Sequence, residues 1–501
     1  MRLVDRIKAD GCAEVELPAP NQVDSRFVLE CLATDSEGDG ILFAALLGNK
    51  LLYAASTGSW YLWAGHRWMR DTRLQVLGLV RYVTERYGQE ILALEERIER
   101  SKAENDEEDH KVFARAWTKK IEQLDKKIRA LRQDTGRNAC IKFACTHLDN
   151  PFAIEGTEFD KDPWLLGVKN GVVDLRSGML LAGDPGQLIS KQCAVAYDPN
   201  LDTSEWEQFL LEIYDNDQEL VDFMQILLGY GITGHTTEHI FPFLIGRGRN
   251  GKSLFINQVV RVLGDYAAVV PCELFLKNNQ PRASNQTDPG IMKLEGLRIA
   301  MSSEVEEGAK FSAQKVKRIT GGDRLEGRNP YDKELRNFEP THLVLMIGNH
   351  EPVPPTGDPA FWDRTWLIQH PVRFVKGDPD PAKNERPADQ HIEERLAAMA
   401  EQCLTWMVIG TMRWIEAGRK IIPPQSVLKS TADYQVDTDW IGQYLDACCE
   451  RADVTTGSTS LYVAFCRWYQ DQVNANKKMT PTHRSFALKL KGRGEDRKSV
   501  V

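Results

Sequence analysis

The sequence predicts an α/β protein with a parallel-sheet core, a mostly helical region ahead of it and a small helical domain behind it. Three observations carry this expectation. Apolar runs short enough for buried strands recur between residues 241 and 368. Long stretches elsewhere place apolar residues three and four apart, the spacing of one helix face. The run Phe241–Asp265 joins the two patterns, passing from a strand through a glycine-rich turn into a helix.

Composition sets the bounds. A chain of 501 residues has room for several domains. At 42% hydrophobic and 27% charged it is ordinary for a globular protein. The formal charge of −9 means that any nucleic-acid contact must come from local basic patches. No apolar run approaches the roughly 18 residues of a membrane-spanning helix, and the N-terminus lacks the apolar stretch of a signal peptide. The 10 cysteines are scattered without a Cys-x-x-Cys pair, which fits a reduced cytoplasmic setting better than a disulfide framework.

Taken in order, residues 1–90 mix short apolar segments with turn signals. Tyr53 to Trp68 is rich in aromatics and glycine and predicts a small hairpin whose rings serve as core or cross-strand pairs rather than base-stacking platforms. From residue 90 to 132 the pattern is helical. Ile91, Leu94 and Ile98 share one face, and Trp117, Ile121, Leu124, Ile128 and Leu131 share another. The acidic stretch Glu104–Asp109 separates the two, so a helical hairpin is expected over 90–132. Lys119, Lys120, Lys126 and Lys127 read as its solvated charged face. Arg176-Ser177-Gly178 reads as a turn between two strands, and Trp206 to Gly234 is helical again.

The apolar segment Phe241–Ile245 is the first strand of the core. It leads into Gly246-Arg247-Gly248-Arg249-Asn250-Gly251-Lys252-Ser253, which with Leu254 are the expected ATP-binding residues, and Phe255, Val259 and Val262 then form one helical stripe. Between a strand and a helix, this pattern is a phosphate-binding P-loop. Glycines let the backbone turn its N–H groups inward around phosphate oxygens, and the helix dipole adds to that field. Lys252 is expected to reach the β and γ phosphates of ATP, and the Ser253 hydroxyl to hold Mg²⁺.

A second strand is expected over Leu297–Met301, ending in Ser302-Ser303-Glu304. A carboxylate delivered there is what a P-loop ATPase needs next, either to polarise the attacking water or to help hold Mg²⁺. Ile319-Thr320-Gly321-Gly322-Asp323 follows. A third strand, Leu343–Ile347, ends in Gly348-Asn349-His350. Asp358 to Arg364 then leads into Trp366-Leu367-Ile368.

This succession of motifs resembles the superfamily 3 helicases, and most of all the helicase half of poxvirus-type and satellite-phage-type primase–helicases. The resemblance covers about residues 160–375, with VKNGVVDLRSG and LLGYGITG upstream, and more loosely the C-terminus. It implies an AAA+-like ATPase core with Lys252 and Ser253 as the Walker A residues and Glu304 as the Walker B acid. Many members carry two adjacent acids there, whereas here Ser303 precedes Glu304. Asn349 matches the polar sensor of the γ-phosphate. Arg364 matches an arginine that reaches the ATP of the neighbouring subunit, which implies a homo-oligomeric ring, expected to be hexameric. Between Asp323 and the Asn349 strand the superfamily places a channel hairpin. Here it would carry Asp332 and Lys333 near its tip, flanked by Arg328 and Arg336, to grip DNA phosphates.

The C-terminal segment holds three helix candidates, Trp440–Cys448, Tyr462–Tyr469 and Arg484–Leu490, and resembles the winged-helix domain that closes these helicases. Lys477 to Lys498 carries eight Lys and Arg against two acids, a local basic patch. The expected organisation is an N-terminal α/β region over 1–200, a helical oligomerisation collar over 201–236, the ATPase over 237–375, a helical linker over 376–435 and a winged helix over 436–501, stopping at Val501 where a full wing needs more residues. A primase domain needs far more chain than lies ahead of Tyr53, and no metal-binding acid set is present there. The expectation is an ATP-driven, ring-forming DNA helicase for replication of a phage, satellite or plasmid-like element. It would act on single-stranded or forked DNA, beside a separate primase or other replication protein, in the host cytoplasm. The alternatives are a DNA-binding initiator or loader that uses ATP to assemble without unwinding, and an NTPase that touches no nucleic acid.

Overall fold

The structure is a computed structural model and describes residues 23–104, 107–146, 152–277, 289–306, 308–328, 335–355, 358–450, 456–473 and 480–492. The chain divides into two compact units. The first holds residues up to Asp162 with 170–172 and 182–191, and the second holds 163–169, 173–181 and everything from Gln192 onward.

The first unit begins with α1 (Ser25–Ala33) and α2 (Asp35–Leu47). Asp24 caps α1 by accepting the Phe27 N–H at 2.8 Å. Strands β1 (Leu51–Ala54), β2 (Ser59–Trp63) and β3 (Trp68–Arg70) form an antiparallel meander, with β4 (Ala153–Ile154) parallel to β1 at its edge. The short helix α3 (Gln75–Leu79) precedes the long pair α4 (Arg81–Glu104) and α5 (Glu107–Leu131), and α6 (Asp134–Thr146) follows. The expected helical hairpin is present, with its first helix starting earlier, at Arg81. Glu107, Glu108 and Asp109 form the first turn of α5, where negative charge suits the helix dipole. Leu94, Leu124, Ile128 and Leu131 are buried at its seam. Trp60 and Tyr53 of the aromatic segment pack against the same core, as side chains of a sheet rather than a free stacking surface. The buried Asp39 carboxylate joins the helices: it accepts from the Tyr87 hydroxyl at 2.7 Å and from Lys127 Nζ at 3.2 Å.

The chain next forms a small sheet of β5 (Leu165–Val168), β6 (Gly171–Asp174) and β7 (Met179–Leu181), with the predicted turn between β6 and β7. Helices α7 (Ser204–Ile213) and α8 (Gln218–Thr233) lead to β8 (Phe241–Ile245), which has the bounds the sequence predicts, and α9 (Lys252–Leu263) follows. Then come β9 (Ala267–Val270), α10 (Pro289–Met292), β10 (Ile299–Ser302), α11 (Ala313–Thr320), β11 (Leu325–Gly327), β12 (Arg336–Phe338), β13 (Leu343–Gly348), α12 (Pro359–Trp362) and β14 (Thr365–Gln369). The central sheet has five strands in the order β14-β8-β13-β10-β9, and every neighbouring pair is parallel.

Both faces of this sheet are covered, which is why its strands read as continuous apolar runs rather than alternating ones. Leu244, Ile299, Met301, Leu343 and Leu345 point to one face and pack with α7, α8 and α9. Phe241, Phe243, Ala300, Val344 and Met346 point to the other and pack with Phe275, Phe311 and Phe361. The period of two along each strand sorts them.

The segment after β14 departs from the helical linker expected over 376–435. It begins with β15 (Arg373–Val375) and β16 (Glu385–Pro387), paired in parallel. The expected helix over Ile392–Trp414 is two, α13 (Ile392–Ala398) and α14 (Ala400–Glu416), with Met399 between them. Helix α14 is core: Leu404, Trp406, Met407 and Trp414 are all buried against α8 and α9. Helix α8, inside the expected collar, buries most of its length within its own unit. Helices α15 (Gln425–Asp437), α16 (Trp440–Cys448), α17 (Ser458–Gln472) and α18 (His483–Gly492) complete the chain. The last three share a separate small core around Tyr444, Phe465 and Phe486. Their described residues include no strand.

Helices α8 and α14 approach through glycine. A Cβ on Gly229 would lie 2.2 Å from the carbonyl carbon of Gly410, and the Thr411 hydroxyl donates to Gly229 O at 2.7 Å. Gly229→Val must therefore part the two helices. Urea unfolding followed by tryptophan fluorescence should show a loss of roughly 3 kcal/mol, the upper range for overpacking.

Candidate nucleotide site

The site lies at the C-terminal ends of three adjacent strands, where open parallel sheets place ligands. Strand β8 ends at Ile245 and the chain turns at once. Gly248, Arg249 and Gly251 adopt left-handed backbone angles, with φ of 76°, 51° and 79°. Gly251 has no alternative, because a Cβ there would fall 2.4 Å from Ile213 Cγ2. The Asn250 side chain folds into the space a Cβ on Gly246 would occupy, and its Oδ1 accepts the Lys252 N–H at 3.3 Å. The loop thus curls over the N-terminus of α9, with Arg247 and Arg249 exposed.

Lys252 is the first residue of α9 and only 3% exposed. Its ammonium donates to Gly348 O, to Asn349 Oδ1 at 3.0 Å and to Gly246 O at 3.3 Å. Burial pulls its pKa down to about 8, against the opposing pull of the Glu304 carboxylate. Asn349 in turn donates from Nδ2 to Glu304 Oε1. One chain of contacts therefore joins the lysine after β8, the amide after β13 and the acid after β10. These are three of the four residues the sequence singles out for chemistry.

Ser303 has structural work in place of a second acid. Its N–H donates to Val270 O at 2.8 Å, and its Oγ accepts the Cys272 N–H at 3.0 Å. A carboxylate there would have to displace the hydroxyl that holds β10 to the end of β9. Ser253 and Glu304 are both exposed. Among the described residues no cluster of His, Cys, Asp or Glu could cage a metal by itself. A hydroxyl and a single carboxylate suit Mg²⁺, which is held through few protein oxygens together with phosphates and water. An open cleft of about 730 Å³ lies over the loop, lined by Ile245, Gly246, Arg247, Asn349, His350, Glu351 and Gln369.

Arg364, the fourth residue, is elsewhere. It directly precedes β14, whose Thr365 pairs with Phe241 and whose Gln369 pairs with Ile245. At about 3.3 Å per residue, it stands roughly 16 Å from the phosphate loop along the strand direction. Its Nη1 donates to Ala360 O at 2.8 Å, and its buried Nε has no partner. Where the channel hairpin is expected, β11 and β12 pair antiparallel, with Leu325 opposite Phe338. Asp332 and Lys333 lie outside the described residues. Arg328 follows the last residue of β11, half-buried, and Arg336 opens β12 with its guanidinium 2.9 Å from Glu295.

Sequence reasoning missed the Gly348 carbonyl, since a backbone acceptor leaves no mark on residue identity. It also missed His370 and Tyr214, buried beneath the loop. Each stands alone in an apolar or mixed stretch, and no motif points to it.

Residues 40–215 match the family model described as D5 N terminal like. A candidate helicase of Acanthamoeba polyphaga mimivirus is 25% identical over 444 residues, covering 84% of this chain and 44% of the viral protein. A candidate primase of African swine fever virus is 19% identical over 468 residues, covering 86% of this chain and 47% of that protein. The chain thus spans about half the length of the curated relatives it matches. The apo structure of the NrS-1 C-terminal region aligns with a TM-score of 0.35 at 11% identity, over 61% of this chain and 67% of that one. Among the described residues, no helix is long and apolar enough to cross a membrane.

The burial of Lys252 gives triphosphate binding at this loop a measurable signature. With a pKa of about 8, the amine is about half neutral at pH 8 before a triphosphate arrives. Phosphate charge favours the ammonium, so binding takes up protons. Calorimetry in buffers of different ionisation enthalpy should show an uptake of about half a proton per site near pH 8 and almost none near pH 6.5. Lys252→Met should remove it.

Proposed function

We propose that this chain, a distant homologue of viral D5-type candidate helicases and primases, is an ATP-dependent DNA helicase of superfamily 3 that works as a ring. The observation that carries the reading is the contact chain from Lys252 through Asn349 to Glu304 at one edge of a parallel sheet. A lysine, a polar amide and an acid, each at the end of its own strand, are the parts that hydrolysis of a phosphoanhydride needs.

Bound ATP with Mg²⁺ supplies the scissile phosphoanhydride and the charge that the site must neutralise. Lys252 would leave its carbonyl partners and pair with β- and γ-phosphate oxygens. Ser253 would offer its hydroxyl, and Glu304 its carboxylate, to the metal or its water. Asn349, released from Glu304, would orient the attacking water. Glu304 is then free to accept that water's proton.

Arg364 is too far from the loop of its own chain to touch the same nucleotide. The proposal places it against the nucleotide of an adjacent copy, in a ring expected to be a hexamer, where it stabilises charge on the transferred phosphoryl group. The hairpin of β11 and β12 would project Lys333 toward single-stranded or forked DNA, with Arg328 beside it. Arg336, held by Glu295, would brace the hairpin rather than grip phosphates. The three C-terminal helices would be the helical part of a winged-helix DNA-binding domain. The host element and its separate primase belong to the same proposal.

Two measurements test it. Lys252→Ala and Arg364→Ala should each reduce ATP hydrolysis at least 100-fold, the scale of losing one transition-state contact. Mixing the two inactive variants should restore a measurable fraction, because some interfaces then pair an intact Lys252 with an intact Arg364. No recovery on mixing, with ring formation verified, would remove the shared site. Strand displacement on forked DNA should stop in Lys333→Ala while hydrolysis continues. Hydrolysis and DNA binding without any displacement by the wild type would instead mark a loader.

A further inference from the structure

Beneath the phosphate loop lies a group of buried polar atoms that the steps above do not use. His370 follows the last residue of β14. Its N–H donates to Ile245 O at 2.8 Å, extending the ladder between β14 and β8 up to the point where the loop begins. It also crowds Gly246, since a Cβ there would lie 2.8 Å from the His370 carbonyl oxygen and 3.1 Å from its Cβ. The imidazole is 3% exposed; the backbone of Ile245 and Ile368 lies near it, but neither ring nitrogen reaches hydrogen-bond geometry with any partner. Tyr214, just past the end of α7, sets its ring 4.9 Å from the imidazole, and its buried hydroxyl is also unpartnered. Asn250 Nδ2 is a third such group, sitting 2.0 Å from where a Gly246 Cβ would stand.

Buried polar groups are almost always hydrogen-bonded, because an orphan loses its water without gaining a partner. Three orphans gathered around the first turn of one loop are therefore unlike a random scatter of packing defects. They are also chemically complementary. The carboxamide nitrogen is a donor, a neutral imidazole offers one acceptor, and a phenol does either. The imidazole is held neutral: burial, and then the nearby Lys252 charge, bring its pKa down to about 3.

We propose that His370 is a positioning residue for the phosphate loop, accepting a hydrogen bond from the Asn250 carboxamide when the loop closes on a triphosphate, with Tyr214 backing the ring. This rests on the nucleotide-binding reading given above. The motion it needs is small and has a cause. Lys252 is tied to Gly246 O, Gly348 O and Asn349 Oδ1, and drawing it toward phosphate moves the arc between Gly246 and Lys252. Asn250 lies within that arc and bonds the Lys252 N–H only loosely, at 3.3 Å. An apolar side chain at 370 would fill the same space and leave the carboxamide without an acceptor, so the closed loop would be the state that loses.

The experiment titrates full-length protein with a fluorescent ATP analogue and follows ATP hydrolysis in parallel. His370→Leu should weaken binding on the order of tenfold, the scale of one unmade buried hydrogen bond. His370→Gln keeps an acceptor and should recover most of that loss. Asn250→Ala should weaken binding on a similar scale, and adding it to His370→Leu should cost nothing further, because the same bond is already gone. Binding by His370→Leu equal to wild type overturns the proposal, and so do losses that multiply in the double variant. If His370→Leu does not fold, the pair Asn250→Ala and His370→Gln/Asn250→Ala decides, with equal affinities expected and a further loss in the double overturning it. A wild type that binds no triphosphate at all removes the nucleotide reading itself, a different outcome from wild-type binding that is indifferent to residue 370.

Discussion

A buried ammonium ties the working edge of this sheet together. Lys252 is nearly inaccessible to water, yet it carries a charge that burial alone would expel. What makes it tolerable is a set of oxygens supplied by two strand ends: Gly246 O after β8, Gly348 O on the last residue of β13, and Asn349 Oδ1 just past it. Through Asn349 the same set reaches Glu304 after β10. Strand β13 lies between β8 and β10 in the sheet, so one cation reaches across three neighbouring strands. The arrangement works only because all of them run parallel and end at the same edge.

That common edge depends in turn on packing far from it. A parallel sheet must be covered on both sides, and here period-two alternation sends Leu343 and Leu345 to one core and Val344 and Met346 to the other. The layer formed by α8 and α14 comes close enough to cover the first face because glycines let two backbones nearly touch. Chain from well past the phosphate loop thus helps to build the floor on which the loop stands.

Much of this was readable in the residues. Phe241–Ile245, the glycine-rich turn and the stripe of Phe255, Val259 and Val262 carry a local signal, because each element is fixed by neighbours in sequence. The strands ending at Glu304 and Asn349 were readable as apolar runs, and their order followed from resemblance. Their meeting with Lys252 was not, since it depends on strand order in space. The parallel pairing of β15 with β16 was hidden within a proline-rich stretch that reads as linker. The role of Ser303 was hidden for a different reason. A serine in place of an acid reads as a missing ligand, whereas the structure gives its hydroxyl a backbone partner at Cys272.

The contact chain also bears on order of events. In the proposed reading, a triphosphate competes with Gly348 O and Asn349 Oδ1 for one ammonium. Whatever draws Lys252 away leaves the Asn349 carboxamide half-satisfied and therefore free to turn, and its turning releases Glu304. In that reading one carboxylate oxygen of Glu304 stays engaged by Asn349 until the lysine is drawn elsewhere. Binding and readiness for hydrolysis would then be coupled through the two ends of one carboxamide, Oδ1 toward Lys252 and Nδ2 toward Glu304. Arg364, held on the far end of β14, takes no part in that exchange within its own chain. In the proposed ring a second condition would be set by an adjacent copy, separate from the first.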